Sequence, residues 1–262
     1  MIKHYLKVAF RNLMKYKMQS FVSIIGLAVG FTCFALSALW IRYEMTYDNF
    51  HKGSDRIYMV RAHYANEPGT SKFTPYPLME YLQDKMPEIE AATAFTPHHV
   101  KFRLEETEQE VGMIDADSVF MNFFDIQLLK GTVNFLKSDG QEVAITKEFA
   151  KRLFSKEEDA LGKEVEVGRR VCKIGAIVSG WSNHSNIPYN ILAPARHSPR
   201  WGSSNEQLFI RVRERTDIDA FRTKMSTVHI NDIEKESELS DLLITRMSAL
   251  RYSDYVDKAD VV

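Results

Sequence analysis

The chain lacks the features that mark several protein classes. It contains two cysteines, Cys33 and Cys172, and the first lies inside an apolar run, so a disulfide-stapled scaffold is not indicated. Its 34 lysines and arginines are balanced by 35 acidic residues, which argues against nucleic acid as a partner, because nucleic-acid-binding proteins carry a basic excess. The GxxxxGK[ST] phosphate-binding loop and the GxSxG nucleophile turn are also missing. The sequence therefore predicts no catalytic, cofactor or metal site, and a protein that is not an enzyme.

The histidines support the same interpretation. His98 and His99 are adjacent, and His184 lies in the loop WSNHSNIP close to Trp181. No cysteine or acidic residue stands near them at metal-ligand spacing, so structural or surface roles are the prediction. A membrane-tethered enzyme built around His184 is the alternative.

One long apolar run stands out against the polar remainder. Residues 21–41, FVSIIGLAVGFTCFALSALWI, contain no charge, and as a helix they would cover roughly 31 Å, the hydrocarbon thickness of a bilayer. A buried core helix and a cleaved signal peptide are the alternatives, but the apolar core of a signal peptide is only about 7–15 residues long. We predict a single transmembrane helix over residues 18–42.

The residues before this run predict an amphipathic helix over 1–17. Apolar residues recur there at helical spacing, while basic residues repeat every four positions on another face. Such a helix suits the surface of an anionic leaflet. The predicted cytoplasmic-leaflet basic face consists of Lys3, Lys7, Arg11, Lys15 and Lys17.

The distribution of basic residues also predicts the orientation of the span. Residues 1–20 hold five basic residues and no acid, whereas residues 42–61 mix four basic with three acidic ones. Lysine and arginine accumulate on the cytoplasmic side of a membrane. The N-terminus is therefore predicted in the cytoplasm and the main domain outside.

Small residues form a stripe along the predicted span. The stripe has spacings of three and four and includes a GxxxG pair, which lets helix backbones approach closely in lipid. We predict that it packs on another transmembrane helix, and this chain contains no second apolar run to supply one. The stripe consists of Ser23, Gly26, Gly30, Cys33 and Ser37.

The rest of the chain predicts a folded α+β domain. Strand-like alternation (IYMVRAHYA, EQLFIRVRE, DLLITRM) and hairpins (residues 100–116, and one turning at Gly168) are mixed with helices. Thr146 is predicted to cap one helix, and a capping box from Thr216 to Asp219 to open another. Because βα units do not alternate regularly, the predicted class is α+β.

Several stretches together resemble the MacB/FtsX-like ABC transporter permeases, above all their MacB-type periplasmic core domain. They are RNLMKYKMQSFVSIIGLAVGF, YDNFHKGSDRIYMV, FMNFFDIQLLKG and AITKEFAKRLFSKEEDALGKEVEVG. They occur in that family's order and approximate spacing, and the resemblance covers essentially the whole chain.

The resemblance implies a mechanical device in the bacterial inner membrane. A separate ATPase subunit would bind ATP and move a two-lobed periplasmic domain, for export or for envelope processes. The first lobe would comprise residues 43–125 plus 203–250, and the second, inserted lobe residues 126–202. The implied partners are that ABC ATPase, further permease transmembrane helices, the lipid bilayer, and periplasmic adaptor or envelope proteins.

The sequence departs from the family at its end. The family continues into three more transmembrane helices, whereas residues 251–262 read as a tail leading toward a second span that is missing here. A permease component or N-terminal fragment is therefore the expected identity. The alternative is a single-pass interaction or sensor module without transport activity.

Overall fold

A computed structural model describes residues 2–64, 69–181, 184–228 and 239–251. The chain forms two compact units, Met1–Tyr47 and Asp48–Val262. The tail predicted for 251–262 lies outside the described residues except for Arg251.

The first unit consists of two helices, α1 (Ile2–Lys15) and α2 (Lys17–Met45). They are separated at Tyr16, whose backbone angles (φ −109°, ψ 55°) are not helical. Among the described residues α2 is the one helix that is long and apolar enough to cross a membrane, with a mean hydropathy of 2.2 over its most apolar stretch, none of which is buried. An apolar helix is present where the transmembrane helix over 18–42 is predicted, and its crossing of a membrane stays a prediction.

In its described residues the second unit combines four α-helices with a twelve-stranded mixed sheet. The helices are α3 (Pro77–Lys85), α4 (Ser118–Phe123), α5 (Lys147–Leu153) and α6 (Ile218–Ser226). The strands are β1 (Ile57–Tyr64), β2 (Thr70–Ser71), β3 (Thr74–Pro75), β4 (Ile89–Leu104), β5 (Thr107–Ala116), β6 (Leu128–Gly131), β7 (Glu142–Thr146), β8 (Glu164–Val167), β9 (Arg170–Val178), β10 (Ile191–Pro194), β11 (Ser204–Val212) and β12 (Leu239–Arg246).

The strand order shows why the class is α+β. Along the sheet it is β12-β1-β11-β4-β5-β10-β7-β9-β6, with β2 on β1, β3 on β11, and β8 between β4 and β9. Parallel pairing occurs at β5–β10 and β7–β9, and the other pairs are antiparallel. Such a mixed sheet, without repeated βα units, confirms the predicted α+β class.

The long strand β4 connects the two ends of this sheet. Its first part, up to Phe95, pairs with β11, and its second part, from Thr96, pairs with β5 in a hairpin that also carries β8. The hairpin turns at Glu105, which has a positive φ of 53°. β4 therefore belongs to both halves of the sheet, since it pairs with β11 at one end and with β5 at the other.

Three hydrophobic clusters fill the domain. One packs α3 and α6 on β1, β11 and β12, and another packs α5 on β7 and β9. Between them lies an aromatic cluster, in which the Phe95 ring is 4.8 Å from that of Phe120 and 5.4 Å from that of Phe209. Burying each such side chain contributes about 1.5–3 kcal/mol. The division into lobes at 125/126 and 202/203 stays a prediction, because one sheet runs through both.

The helix caps show which local signals were reliable. The hydroxyl of Thr146 accepts a hydrogen bond from the Phe149 amide at 3.3 Å, as predicted for α5. For α6 the predicted capping box is wrong, since the Asp217 carboxylate caps the helix by accepting from the Asp219 and Ala220 amides, both at 3.1 Å. The Thr216 hydroxyl instead donates to the Arg213 carbonyl.

Candidate functional site

The first residue of the second unit is anchored to a distant loop. Asp48 is fully buried, and its Oδ2 accepts hydrogen bonds from the backbone amide of Asn186 at 3.1 Å and from its side-chain amide at 2.6 Å. The backbone amide of Asp48 donates to the His184 carbonyl at 3.2 Å. Burial raises the pKa of Asp48, and the hydrogen bonds with Ser185 and Asn186 oppose that rise. The loop that contains His184 and Asn186 is thus hydrogen-bonded to Asp48, which lies three residues after the end of α2.

The same loop is in close contact with the central strands. The Asn190 amide donates to the Gly112 carbonyl of β5 at 2.8 Å, and the Asn190 carbonyl accepts from the Thr146 amide at 2.9 Å. A Cβ on Gly112 would lie 2.5 Å from the Pro188 carbonyl oxygen, closer than any side chain permits. Glycine is therefore required for this approach of loop and strand.

A buried histidine lies beside the anchored loop. The His51 ring is 4.8 Å from the Trp181 ring, edge to face, and 5.0 Å from that of Phe124. Burial, together with the charge of Arg211, lowers the pKa of His51 to about 4. The Trp181 indole donates to the Ile187 carbonyl at 2.9 Å. His51 is consequently neutral near pH 7 and serves as an aromatic packing residue.

A second histidine, His197, contacts the first residues of two helices and one strand of the sheet. The His197 ring stacks on Tyr76 with 3.9 Å between centroids, and its nitrogens lie 3.5 Å from Asp117 Oδ2 and 3.7 Å from Glu206 Oε1. Burial disfavours the imidazolium, but the two carboxylates outweigh burial and raise the pKa of His197 to about 9. Asp117 also caps α4 by accepting from the Phe120 amide at 2.8 Å. The imidazole of His197 is therefore positively charged at neutral pH, between two acidic side chains.

A cavity of about 490 Å³ opens between β1, β4, β5 and the anchored loop. Its apolar walls come from Met59, Pro97, Met113, Ile187, Pro188 and Leu250. Its polar residues are Arg61, Lys72, His98, His99, Asn186, Gln207 and Arg251. Because Asn186 is also the residue that binds Asp48, the cavity wall and the anchor share one loop.

The predicted site residues all lie in the first unit. The stripe residues Ser23, Gly26, Gly30, Cys33 and Ser37 are exposed along α2. An added Cβ on Gly26 or Gly30 would meet no atom within 4 Å. The stripe's role in packing stays a prediction.

The basic residues of the predicted leaflet face are spread over both helices. Lys7, Arg11 and Lys15 are exposed on α1, and Lys17 is exposed at the start of α2. Lys3 belongs to α1, but its side chain lies outside the described residues. Contact of this face with lipid stays a prediction.

Sequence reasoning missed the Asp48 anchor, the His197 cluster and the cavity. The sequence shows only that His184 and Trp181 lie in one loop and that His98 and His99 are adjacent. No one-dimensional signal links Asp48 to Asn186. Among the described residues no group of three or more histidine, cysteine or acidic side chains could hold a metal ion. The hydrogen bonds of Asp48 and the contacts of His197 hold together segments that are distant in sequence.

The chain matches one protein family and shares its fold with solved structures. The model of the MacB-like periplasmic core domain family matches residues 20–228. A domain described as part of a permease protein from Porphyromonas gingivalis superposes with a TM-score of 0.60 at 19% identity, covering 75% of this chain and 92% of that chain. A search of curated protein sequences gives no match.

Two further solved structures share the fold. The extracellular domain of the noncanonic ABC-type transporter YknZ from Gram-positive bacteria has a TM-score of 0.53 at 14% identity, covering 72% of this chain and 99% of that one. The periplasmic region of MacB from Actinobacillus actinomycetemcomitans also has a TM-score of 0.53, at 12% identity, covering 77% of this chain and 94% of that one. At these identities the likeness shows the fold alone.

Proposed function

The chain belongs to the MacB-like periplasmic core domain family, and from that premise we propose that it is a membrane-anchored permease component of an ABC-type transporter. The family is one of transporter permease domains and not a known enzyme class. On this proposal α2 crosses the bacterial inner membrane and the second unit lies in the periplasm. The excess of basic residues before α2 supports a cytoplasmic N-terminus.

The observation that carries the proposal is the anchor between Asp48 and Asn186. Asp48 follows α2 by three residues, and its buried carboxylate holds a loop that binds β5 through Gly112 and β7 through Thr146. Two hydrogen bonds from one residue to one carboxyl group fix the orientation of both partners. A displacement at the end of α2 would therefore pass through Asn186 into the centre of the sheet.

The energy for such movement would come from a partner. ATP would bind a separate ABC ATPase subunit, and further permease helices would pack on the small-residue stripe of α2. The structural relative named as an ABC-type transporter, YknZ, supports this assembly. Periplasmic adaptor or envelope proteins would receive the motion. Export and mechanical signalling are the two processes that such motion would serve.

Copurification tests this proposal. The full chain, carrying an affinity tag, would be isolated from its native membranes in mild detergent, and the bound proteins identified by mass spectrometry. We expect an ABC ATPase and a chain with several transmembrane helices, both reduced to background with an unrelated single-span protein as bait. Recovery of the tagged chain without either partner would instead support the alternative, a single-pass interaction or sensor module.

A further inference from the structure

A cleft in the second unit gathers basic residues from three distant segments. It has a volume of about 570 Å³ and lies between residues 52–58, the turn that joins β11 to α6, and the end of β12. Its acidic residues are Asp55 and Glu214. Its basic residues, which define the basic cleft, are Lys52, Arg56, Arg213, Arg215 and Arg246. Because the whole chain has a net charge of −1, this grouping of positive charge is a local feature.

Three of these basic side chains have no counter-charge among the described residues. Lys52, Arg215 and Arg246 are exposed, and none of them forms an ion pair or a side-chain hydrogen bond with any described residue. Arg215 lies in a tight turn with a positive φ of 67°, closed by a hydrogen bond from the Thr216 amide to the Arg213 carbonyl at 3.3 Å. Like charges that the fold holds near one another repel, and an anion between them relieves the repulsion.

Most of the acids at the cleft already have partners. Glu90 Oε2 accepts a hydrogen bond from Arg56 at 2.5 Å, and Glu214 Oε1 lies 3.9 Å from the same guanidinium. The Asp217 carboxylate caps α6. Asp55 is the one acid of the lining that has no ion pair among the described residues. The basic cleft therefore keeps an excess of positive charge.

Two guanidinium groups are fixed in place by the fold. Arg56 Nη1 also donates to the Val212 carbonyl at 2.9 Å, and Arg213 Nε donates to the Pro87 carbonyl at 2.8 Å. The terminal nitrogens of Arg213 have no partner in the part of the chain that the structure describes. The planar fork of a guanidinium matches two oxygens of a phosphate group. Arg213 thus presents donors whose position is set before a ligand arrives.

The basic cleft is close along the chain to the predicted membrane surface. Trp40 and Tyr43 are exposed near the end of α2, and such aromatic residues collect at the membrane–water interface. Lys52 follows Met45, the last residue of α2, by seven residues, which span roughly 25 Å at most. Basic residues near a lipid surface attract acidic head groups. Phospholipid head groups are therefore within reach of the cleft.

We propose that the basic cleft binds a phosphate ester, either the head group of an acidic phospholipid or a soluble molecule of the same chemistry. The phosphate oxygens lie between Arg213 and Arg215, and Lys52 and Arg246 add positive charge around them. Binding of a lipid rests on the proposed membrane span of α2, whereas binding of a soluble ester does not. Neither depends on an ATPase partner.

Two double variants separate the cleft from the remaining surface charge. Lys52→Gln combined with Arg215→Gln, the cleft variant, removes two side chains that form no hydrogen bond with the described residues, so the fold should remain. Lys163→Gln combined with Arg200→Gln, the control variant, removes the same charges at exposed positions that do not line the cleft. Both variants keep the basic residues of α1, so a difference between them reports on the cleft.

Lipid retention tests the bilayer as the source of the ligand. The full-length wild type and both variants are reconstituted in nanodiscs of phosphatidylcholine with a minor share of phosphatidylglycerol and are then extracted in mild detergent. Mass spectrometry measures the phosphatidylglycerol retained per chain. We expect the cleft variant to retain at least fivefold less than the wild type, and the control variant to retain the wild-type amount. This result would support the proposal with a phospholipid as the ligand.

Calorimetry tests the soluble source. Glycerol phosphate, the ester without acyl chains, is titrated into each protein in phosphatidylcholine nanodiscs, and glycerol serves as the uncharged comparison. Binding of glycerol phosphate but not glycerol, at least fivefold weaker in the cleft variant than in the control variant, would support the proposal with a soluble ester as the ligand. A cleft variant that matches the wild type in both measurements would overturn it. Equal losses in the cleft and control variants would overturn it as well.

Discussion

The carboxylate of Asp48 accepts hydrogen bonds from both the backbone and the side-chain nitrogen of Asn186, a residue 138 positions further along the chain. The pair closes most of the second unit into one loop, starting three residues after α2 ends at Met45. Its neighbours, Gly112 and Thr146, extend the connection into two strands.

Removing the anchor should destabilise the second unit. Asp48→Ala removes the acceptor of the backbone and side-chain amides of Asn186, and a buried donor left without a partner costs about 1–3 kcal/mol. We expect the thermal unfolding midpoint of the full chain in nanodiscs to fall by about 5–10 °C. Asp125→Ala is the matched control, because Asp125 has a similar positive φ (53° against 57°) but is exposed. Equal losses in both variants would assign the effect to backbone strain.

The His197 cluster should make stability fall with rising pH. Its pKa of about 9 in the folded chain exceeds the ordinary value of 6.5, so the stabilisation is fully present below pH 6.5 and is lost as the pH rises through 9. The shift corresponds to at most about 3 kcal/mol. The free energy of unfolding, measured in denaturant between pH 6 and 9.5, should show this decline.

Two variants assign the decline to that residue. His197→Gln cannot take up the proton, so its stability should change less over the same pH range. His4→Gln, at an exposed position of α1, should keep the wild-type pH dependence. A His197→Gln curve parallel to that of the wild type would refute the assignment.

Larger side chains on the predicted small-residue stripe of α2 should disrupt its packing on partner helices and leave the fold of this chain intact. In Gly26→Leu combined with Gly30→Leu, each new Cβ has no atom within 4 Å beyond its chain neighbours and the backbone of its own helix, so the secondary structure should not change. A partner helix could not approach such a surface closely, and we expect copurifying transmembrane proteins to drop at least tenfold. Ala28→Leu combined with Thr32→Leu, on the opposite face, should retain them. Full recovery with both pairs would count against the stripe.

Asp217 and Thr216 at the start of α6 can be compared for their contribution to stability. Asp217→Ala removes the acceptor for two helix amides and should lower the free energy of unfolding by about 1 kcal/mol. Thr216→Ala removes only a bond to the Arg213 carbonyl and should have a smaller effect. Denaturant unfolding of both variants gives the comparison, and a larger loss at Thr216 would restore the capping box.

Local signals account for what could be predicted. The apolar helix, the hairpin over residues 100–116, the turn at Gly168 and the Thr146 cap all depend on residues close in sequence, and each is present in the structure. The capping box at Thr216 failed because Asp217, the next residue, is an equally strong cap. Where two adjacent residues could both cap a helix, the path of the backbone that leads into the helix determines which one does.

The sequence by itself determined that an apolar helix precedes an α+β domain and that the whole resembles one permease family, because hydropathy, periodicity and motif order are properties of the chain read in one dimension. Tertiary structure alone decided that Asp48 holds Asn186, that His197 lies between Asp117 and Glu206, and that five basic residues line one cleft. These residues come from distant segments, and only the order of strands in the sheet sets which of them meet.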